Sequence, residues 1–251
     1  MAGGARANEV EDRQLLAFWE RRATTASDPA ASIEVCRKEM ANQPNSMYLP
    51  VIRGVMAWHE LAAGRTEEGA ATLKTLMTSE KDPLALAGNT LACRWLTRLD
   101  RERVRKALSD YYTRNVAYPA SLAPVLELPA NQRPPALDRW NQPWQYRLAS
   151  FKRIPGLSDQ RYDLRSGALD SESDLKDALA VPYAAPTNLI PVKVISRSEG
   201  PAAVEFQAPG TPPRRMVLTE GSRAGRFYFI RLVAQSVLLS DGDRWYLVPL
   251  P

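Results

Sequence analysis

Histidine is almost absent from this chain. His59 is the only one in 251 residues, which excludes metal sites built from several imidazoles and relays that pass a proton between them. Cysteine is nearly as scarce, with Cys36 and Cys93 alone. One nucleophile pair, either thiol with His59, is all that this composition leaves for a Cys–His hydrolase. Both cysteines sit inside helical patterns, where structural thiols are the common case. In an exported chain, a disulfide between those two helices is the expected alternative. No stretch approaches the roughly eighteen consecutive apolar residues that a membrane-spanning helix requires. Neither charge sign dominates, since 33 basic residues face 28 acidic ones and the net charge is +5. The basic residues are scattered, so they permit an anionic partner without marking a nucleic-acid surface.

What is present is ordinary for a folded protein: hydrophobic residues make up 45% and charged residues 24%. The length fits two or three small domains better than one. The 20 prolines crowd the second half, where turns and connections are expected.

From Glu9 to about Asn115 the spacing predicts helices. Val10, Leu15, Leu16 and Trp19 give the first one a buried face. Asp28-Pro29 caps a second that runs to Met40, and Asn45-Ser46 caps a third that Gly64 ends. A fourth opens at Thr66, a fifth at Asp82-Pro83, and a sixth follows Asp100 and ends near Tyr111 and Tyr112. Gly54, Trp58, Gly64, Ala70 and Pro83 are spaced much as in a tetratricopeptide repeat, which this region resembles. An irregular helical bundle is the other reading of the same pattern.

After Asn115 the texture changes. A short turn at Ser121 to Leu126 leads to Leu137-Asp138-Arg139-Trp140-Asn141-Gln142-Pro143-Trp144-Gln145-Tyr146, a tight turn feeding a strand at Tyr146 to Leu148. Arg161 to Leu164 is its expected antiparallel partner, after a loop from Lys152 to Gln160. Tyr118-Pro119, Leu122, Leu126, Asp138, Trp140, Pro143, Tyr146 and then Tyr162-Asp163-Leu164-Arg165-Ser166-Gly167 occur in the order seen in the C-terminal half of major pseudopilins of type II secretion. The segment from about 111 to 177 resembles that family. The resemblance implies that the helix before Asn115 replaces the distal part of the long pilin helix, with a small sheet folded on it. Pseudopilins begin with a strongly apolar helix, whereas this chain has amphipathic ones. The resemblance therefore covers the globular half and does not extend to filament assembly.

The loop after Ser166 is rich in oxygens, with Asp170, Ser173 and Asp174, and hard cations take six to eight oxygens from such loops. In the resembling family this loop holds calcium, which implies Asp170, Asp174 and Ser166 as ligands. The other reading is a solvated acidic loop. Trp140, Trp144, Tyr146 and Tyr162 form either a packed core or a platform on which a sugar or base stacks.

A connection with Pro182 and Pro186 leads to six short strands: Val192 to Ile195, Ala203 to Phe206, Arg215 to Leu218, Phe227 to Val233, Val237 to Leu239 and Trp245 to Val248. Asp241-Gly242 is the best hairpin signal in the chain. A small barrel or sandwich follows. The glycine turns from Gly221 to Gly225, with Phe227, Phe229, the Ser236-Val237-Leu238-Leu239 run and Trp245-Tyr246-Leu247, make it similar to the small β-domain of secretin-interacting inner-membrane proteins of type II secretion and type IV pilus systems.

These readings predict an α+β, multidomain chain: residues 1–99 helical, 100–180 pseudopilin-like, and 188–251 all-β. The resemblances imply a non-enzymatic envelope protein whose partners are other secretion or pilus assembly proteins, with no small-molecule substrate. Its expected place is periplasmic or otherwise extracytoplasmic. Ala5-Arg6-Ala7 has the form of a signal-peptidase site, although too little precedes it to be a signal peptide. A carbohydrate- or nucleic-acid-binding module using Trp140, Trp144 and Tyr146 is the alternative, and the Cys–His hydrolase the third.

Overall fold

Capping chemistry shapes the helical half. The structure, a computed structural model, describes residues 2–154, 157–169, 174–183, 189–196 and 201–251. Helices α1 (Ala2–Thr24), α2 (Pro29–Asn42), α3 (Leu49–Ala62) and α4 (Thr66–Lys74) follow in order. The Asp28 carboxylate accepts the Ala30 and Ala31 N–H groups at 2.9 and 3.2 Å, satisfying donors that the first turn of α2 leaves open. α3 stops because Gly64 takes a left-handed φ of 76°, which places the Arg65 N–H on the Glu60 carbonyl at 2.8 Å and the Gly64 N–H on that of Leu61 at 3.0 Å.

The expected fifth and sixth helices are one element, α5 (Pro83–Asn115). Asp82 caps its start through the Leu84 and Ala85 N–H groups. Asp100 does not start a new helix. Its carboxylate pairs with Arg139 at 2.6 Å and with Arg103 at 3.7 Å, and no proline or glycine interrupts residues 96 to 101. Beyond α5 come α6 (Ala123–Leu126), β1 (Gln145–Ile154), β2 (Leu157–Arg165) and α7 (Leu175–Ala180). β1 and β2 pair antiparallel with Tyr146 opposite Leu164 and Leu148 opposite Tyr162. The hairpin is longer than its sequence suggests, since pairing continues to Ile154 and Leu157 through much of the stretch expected as a loop.

The C-terminal strands are β3 (Ile190–Ser196), β4 (Ala203–Ala208), β5 (Arg214–Thr219), β6 (Arg223–Ala224), β7 (Phe227–Val233), β8 (Ser236–Ser240) and β9 (Trp245–Pro249). They make two antiparallel sheets, β3-β4-β5 and β6-β7-β8-β9, and the chain is α+β. No barrel closes among the described residues. The link between the sheets explains this: the Glu220 N–H bonds to Ala202 beside the first sheet, and the next N–H, of Gly221, bonds to Phe229 in the second. Val204, Phe206 and Leu218 from one sheet share a core with Phe229, Val237 and Leu239 from the other. Phe206 and Phe229 meet edge to face at 5.7 Å across it.

The residues group into two compact units, Met1–Ala92 with Val181–Pro251, and Cys93–Ala180. Helices and C-terminal strands expected to form separate domains, 1–99 and 188–251, thus share one unit. Gly54 shows why. A Cβ at this α3 position would lie 2.4 Å from Nε1 and 3.0 Å from Cδ1 of Trp245, a fully buried residue of β9. In an open helix Gly→Ala gains about 1 kcal/mol. Here overpacking outweighs that gain, and Gly54→Ala is expected to lower stability by about 2 kcal/mol. Urea unfolding of the variant measures this, and a variant as stable as the wild type would mean that α3 and β9 do not meet at this residue.

Candidate functional site

In the unit formed by Cys93–Ala180, the central turn is organised by one carboxylate. Asp138 Oδ1 accepts the N–H groups of Trp140 and Gln142, each at 2.9 Å, and Oδ2 accepts the Ser166 hydroxyl at 2.6 Å. Asn141 takes a left-handed φ of 59°, which asparagine tolerates because its short polar side chain bonds locally. The turn delivers Trp144, 6% exposed, into a core of Val104, Leu108, Leu122, Val125 and Leu164. Its indole N–H donates to the Pro135 carbonyl at 2.8 Å, and the Tyr146 hydroxyl donates to that of Pro119 at 2.7 Å. Tyr118 and Tyr162 meet edge to face at 4.8 Å, and Tyr146 lies 6.0 Å from Tyr162. Packing and hydrogen bonding therefore already use Trp144 and Tyr146, two of the three rings named for the stacking alternative.

Of the three residues expected around calcium, Asp170 lies outside the described residues. Ser166 is buried against Asp138, and its oxygen also accepts the Ala168 N–H at 3.2 Å. Asp174 pairs with Arg105 at 2.7 Å and Arg101 at 3.4 Å, and its hydrogen bond to Arg105 holds its carboxyl below the ordinary 3.8. Two guanidinium groups oppose a cation at that carboxylate. Among the described residues, no group of three or more His, Cys, Asp or Glu side chains is placed to hold a metal ion.

Both cysteines are buried, and neither is in a disulfide. Burial pushes the Cys36 thiol up to about 12 and raises that of Cys93, whose Sγ donates to the Arg139 carbonyl at 3.6 Å. His59 is fully buried, and burial, followed by the nearby charge of Arg22, lowers it to about 4. These directions oppose the thiolate–imidazolium pair on which cysteine nucleophiles depend.

The other unit holds an arrangement that sequence reasoning did not find. Arg22, in the last turn of α1 and 4% exposed, lies with its guanidinium carbon 4.9 Å from the Trp19 ring and 4.3 Å from the Tyr183 ring. Its Nη2 donates to the Tyr183 carbonyl at 3.1 Å. Tyr183 in turn stacks on His59 at 6.1 Å, meets Trp58 edge to face at 5.2 Å, and accepts the Trp245 N–H at 2.9 Å through its hydroxyl. Trp19, Arg22, Ala23, Ala26, Tyr183 and Leu247 line a cavity of about 190 Å³ here.

No protein-family model, curated protein or solved structure matches this chain.

The sequence carried little sign of the Arg22 cluster. Arg22 reads as a basic residue suited to a helix C-terminus, and Tyr183 as one residue of a proline-bearing connection. Trp19 and Trp58, two large aromatics on neighbouring helical faces, were the only available hint. A second feature is a groove of about 480 Å³ in the Cys93–Ala180 unit, lined by Arg103, Lys106, Arg114 and Arg133 with a single acidic residue, Asp110.

Proposed function

We propose that this protein is a non-catalytic envelope component that binds other proteins of a type II secretion or type IV pilus-like assembly. The observation that carries the reading is the Trp144 core. The distal half of α5, α6 and the β1–β2 hairpin pack around one buried tryptophan, which supports the pseudopilin resemblance. The α3–α4 pair, joined by the Gly64 turn and followed by the Asp82-Pro83 start, supports a repeat-like helical module in the other unit. The two-sheet C-terminal region supports the likeness to secretin-interacting β-domains. No helix among the described residues is long and apolar enough to cross a membrane.

The partner-binding surface in this reading is the basic groove. Four cationic side chains around one acidic residue suit an acidic protein segment and raise its association rate. A photoreactive residue at position 133, introduced in the native host, tests this. Crosslinks should reach a secretion or pilus component, and reversing charge with Arg103→Glu and Arg114→Glu should abolish them. The reading fails if the protein fractionates with the cytoplasm, or if the crosslinks survive charge reversal.

A further inference from the structure

We propose that the Met1–Ala92, Val181–Pro251 unit binds a carboxylate on a small apolar body, with Arg22 as its counter-ion. Two adjacent arginines at the end of α1 make the case. Arg21 is half exposed and pairs with Glu39. Arg22, almost wholly buried, has no carboxylate partner among the described residues, and the sequence of 184–188, which follows Tyr183, contains no acidic residue.

A buried guanidinium without an anion carries a desolvation cost. Here that cost is only partly offset by two ring faces, one carbonyl and the negative end of α1. The polar neighbours add no negative charge. Cys36 stays a neutral thiol and His59 a neutral imidazole, because burial disfavours the charged form of each. Arg22 Nε is buried and has no hydrogen-bond partner among the described residues. An unpaired donor on a buried cation, at the wall of a cavity, is where an external acceptor gains most.

The cavity sets the ligand's size and character. At about 190 Å³ it is below the usual range for drug-sized ligands and holds the equivalent of roughly six waters. Ala23, Ala26 and Leu247 give it apolar walls beside the single guanidinium. One positive charge matches one negative charge, so a monocarboxylate with a short alkyl or branched tail fits better than a phosphate. Such a group comes either from a free small acid or from the C-terminus of a polypeptide ending in an apolar residue.

Titration of the full chain with butyrate, followed by tryptophan fluorescence and thermal melting, tests the proposal, with butyramide and matched chloride as controls. Butyrate should bind saturably in the millimolar range. At a hundredfold excess over its dissociation constant it should raise the melting temperature by roughly 5 °C. Neither control should do so. Arg22→Gln should abolish the response. So should Ala23→Leu, which fills the cavity from an exposed helix position and leaves Arg22 in place. N-acetyl-Ala-Ala-Val with a free carboxylate, compared with its amide, separates the two sources. Binding by the free acid at least tenfold tighter than butyrate assigns the site to a chain terminus, and weaker binding assigns it to a small acid. Equal responses to butyrate and butyramide, or unchanged binding in Ala23→Leu, would overturn the proposal.

Discussion

Replacing Asp138 with alanine will destabilise the Cys93–Ala180 unit by about 5 kcal/mol, since hydrogen bonds to a charged group contribute roughly 1.5–3 kcal/mol each and three are lost together. The carboxylate is buried and accepts two backbone N–H groups and the Ser166 hydroxyl, so its removal leaves three donors facing a space that water does not readily fill. Asparagine should cost far less, about 1 kcal/mol, because its carbonyl oxygen still accepts the two backbone donors while its amide meets an oxygen able to accept. Ser166→Ala removes that hydroxyl donor together with the acceptor of the Ala168 N–H, so combined with Asp138→Ala it should add less than it costs alone. Urea unfolding followed by tryptophan fluorescence measures all four variants against the wild type. An Asp138→Ala variant within 1 kcal/mol of wild type would show that the turn is held by packing alone.

The same residue illustrates what could be read in advance. Asp138, Pro143 and the tryptophans mark a turn because their effects are local, and the turn is where the spacing put it. Asp28 and Asp82 were legible for the same reason: each precedes a proline and caps the helix that begins there. Asp100 offers the same carboxylate without the proline, and its partner Arg139 lies far along the chain. Local signals could not tell a cap from an ion pair, and one long helix was read as two. The strands β7, β8 and β9 were visible in their apolar runs and in the Asp241-Gly242 turn, whereas two-residue β6 is too short to leave a pattern. Whether those strands closed into a barrel depended on which sheet each amide of Glu220-Gly221 joined, and periodicity carries no such information.

The grouping of helices with C-terminal strands in one compact unit was illegible for a related reason. Proline content and a change of texture suggested a boundary near residue 188, but Gly54 and Trp245 fit together across most of the chain's length. A glycine in a helix reads as a weak position until its neighbour is known. The Arg22 site is the extreme case, because the hydrogen bond to Tyr183 joins residues 161 positions apart. The basic groove is intermediate: its arginines and lysine come from one helical face and a nearby loop, yet their scatter along the sequence concealed that they converge.

Stability should fall steeply between pH 6.5 and 4, and His59 is the reason. Its folded-state value of about 4 lies below the ordinary 6.5, with burial the main cause and the positive charge of Arg22 the second. Between those two values the unfolded chain binds a proton that the folded chain refuses, so acid favours unfolding in that window. Above pH 6.5 the histidine is neutral in both states and the loss vanishes; below about 4 it is charged in both and the loss is complete. The gap corresponds to about 3 kcal/mol, an order-of-magnitude figure for a fully buried group. His59→Phe keeps a ring against Tyr183 and Trp58 but has no proton to bind, and both imidazole nitrogens it removes lack partners among the described residues. The variant should therefore match or exceed wild-type stability at pH 7 and lose about 3 kcal/mol less on acidification to pH 4. Carboxylates that titrate in the same range act on both proteins and cancel in the difference. Parallel pH profiles for the two would mean that water reaches His59 and that the Trp58–His59–Tyr183 stack is open enough to admit a charge, which would also remove the neutral wall around Arg22.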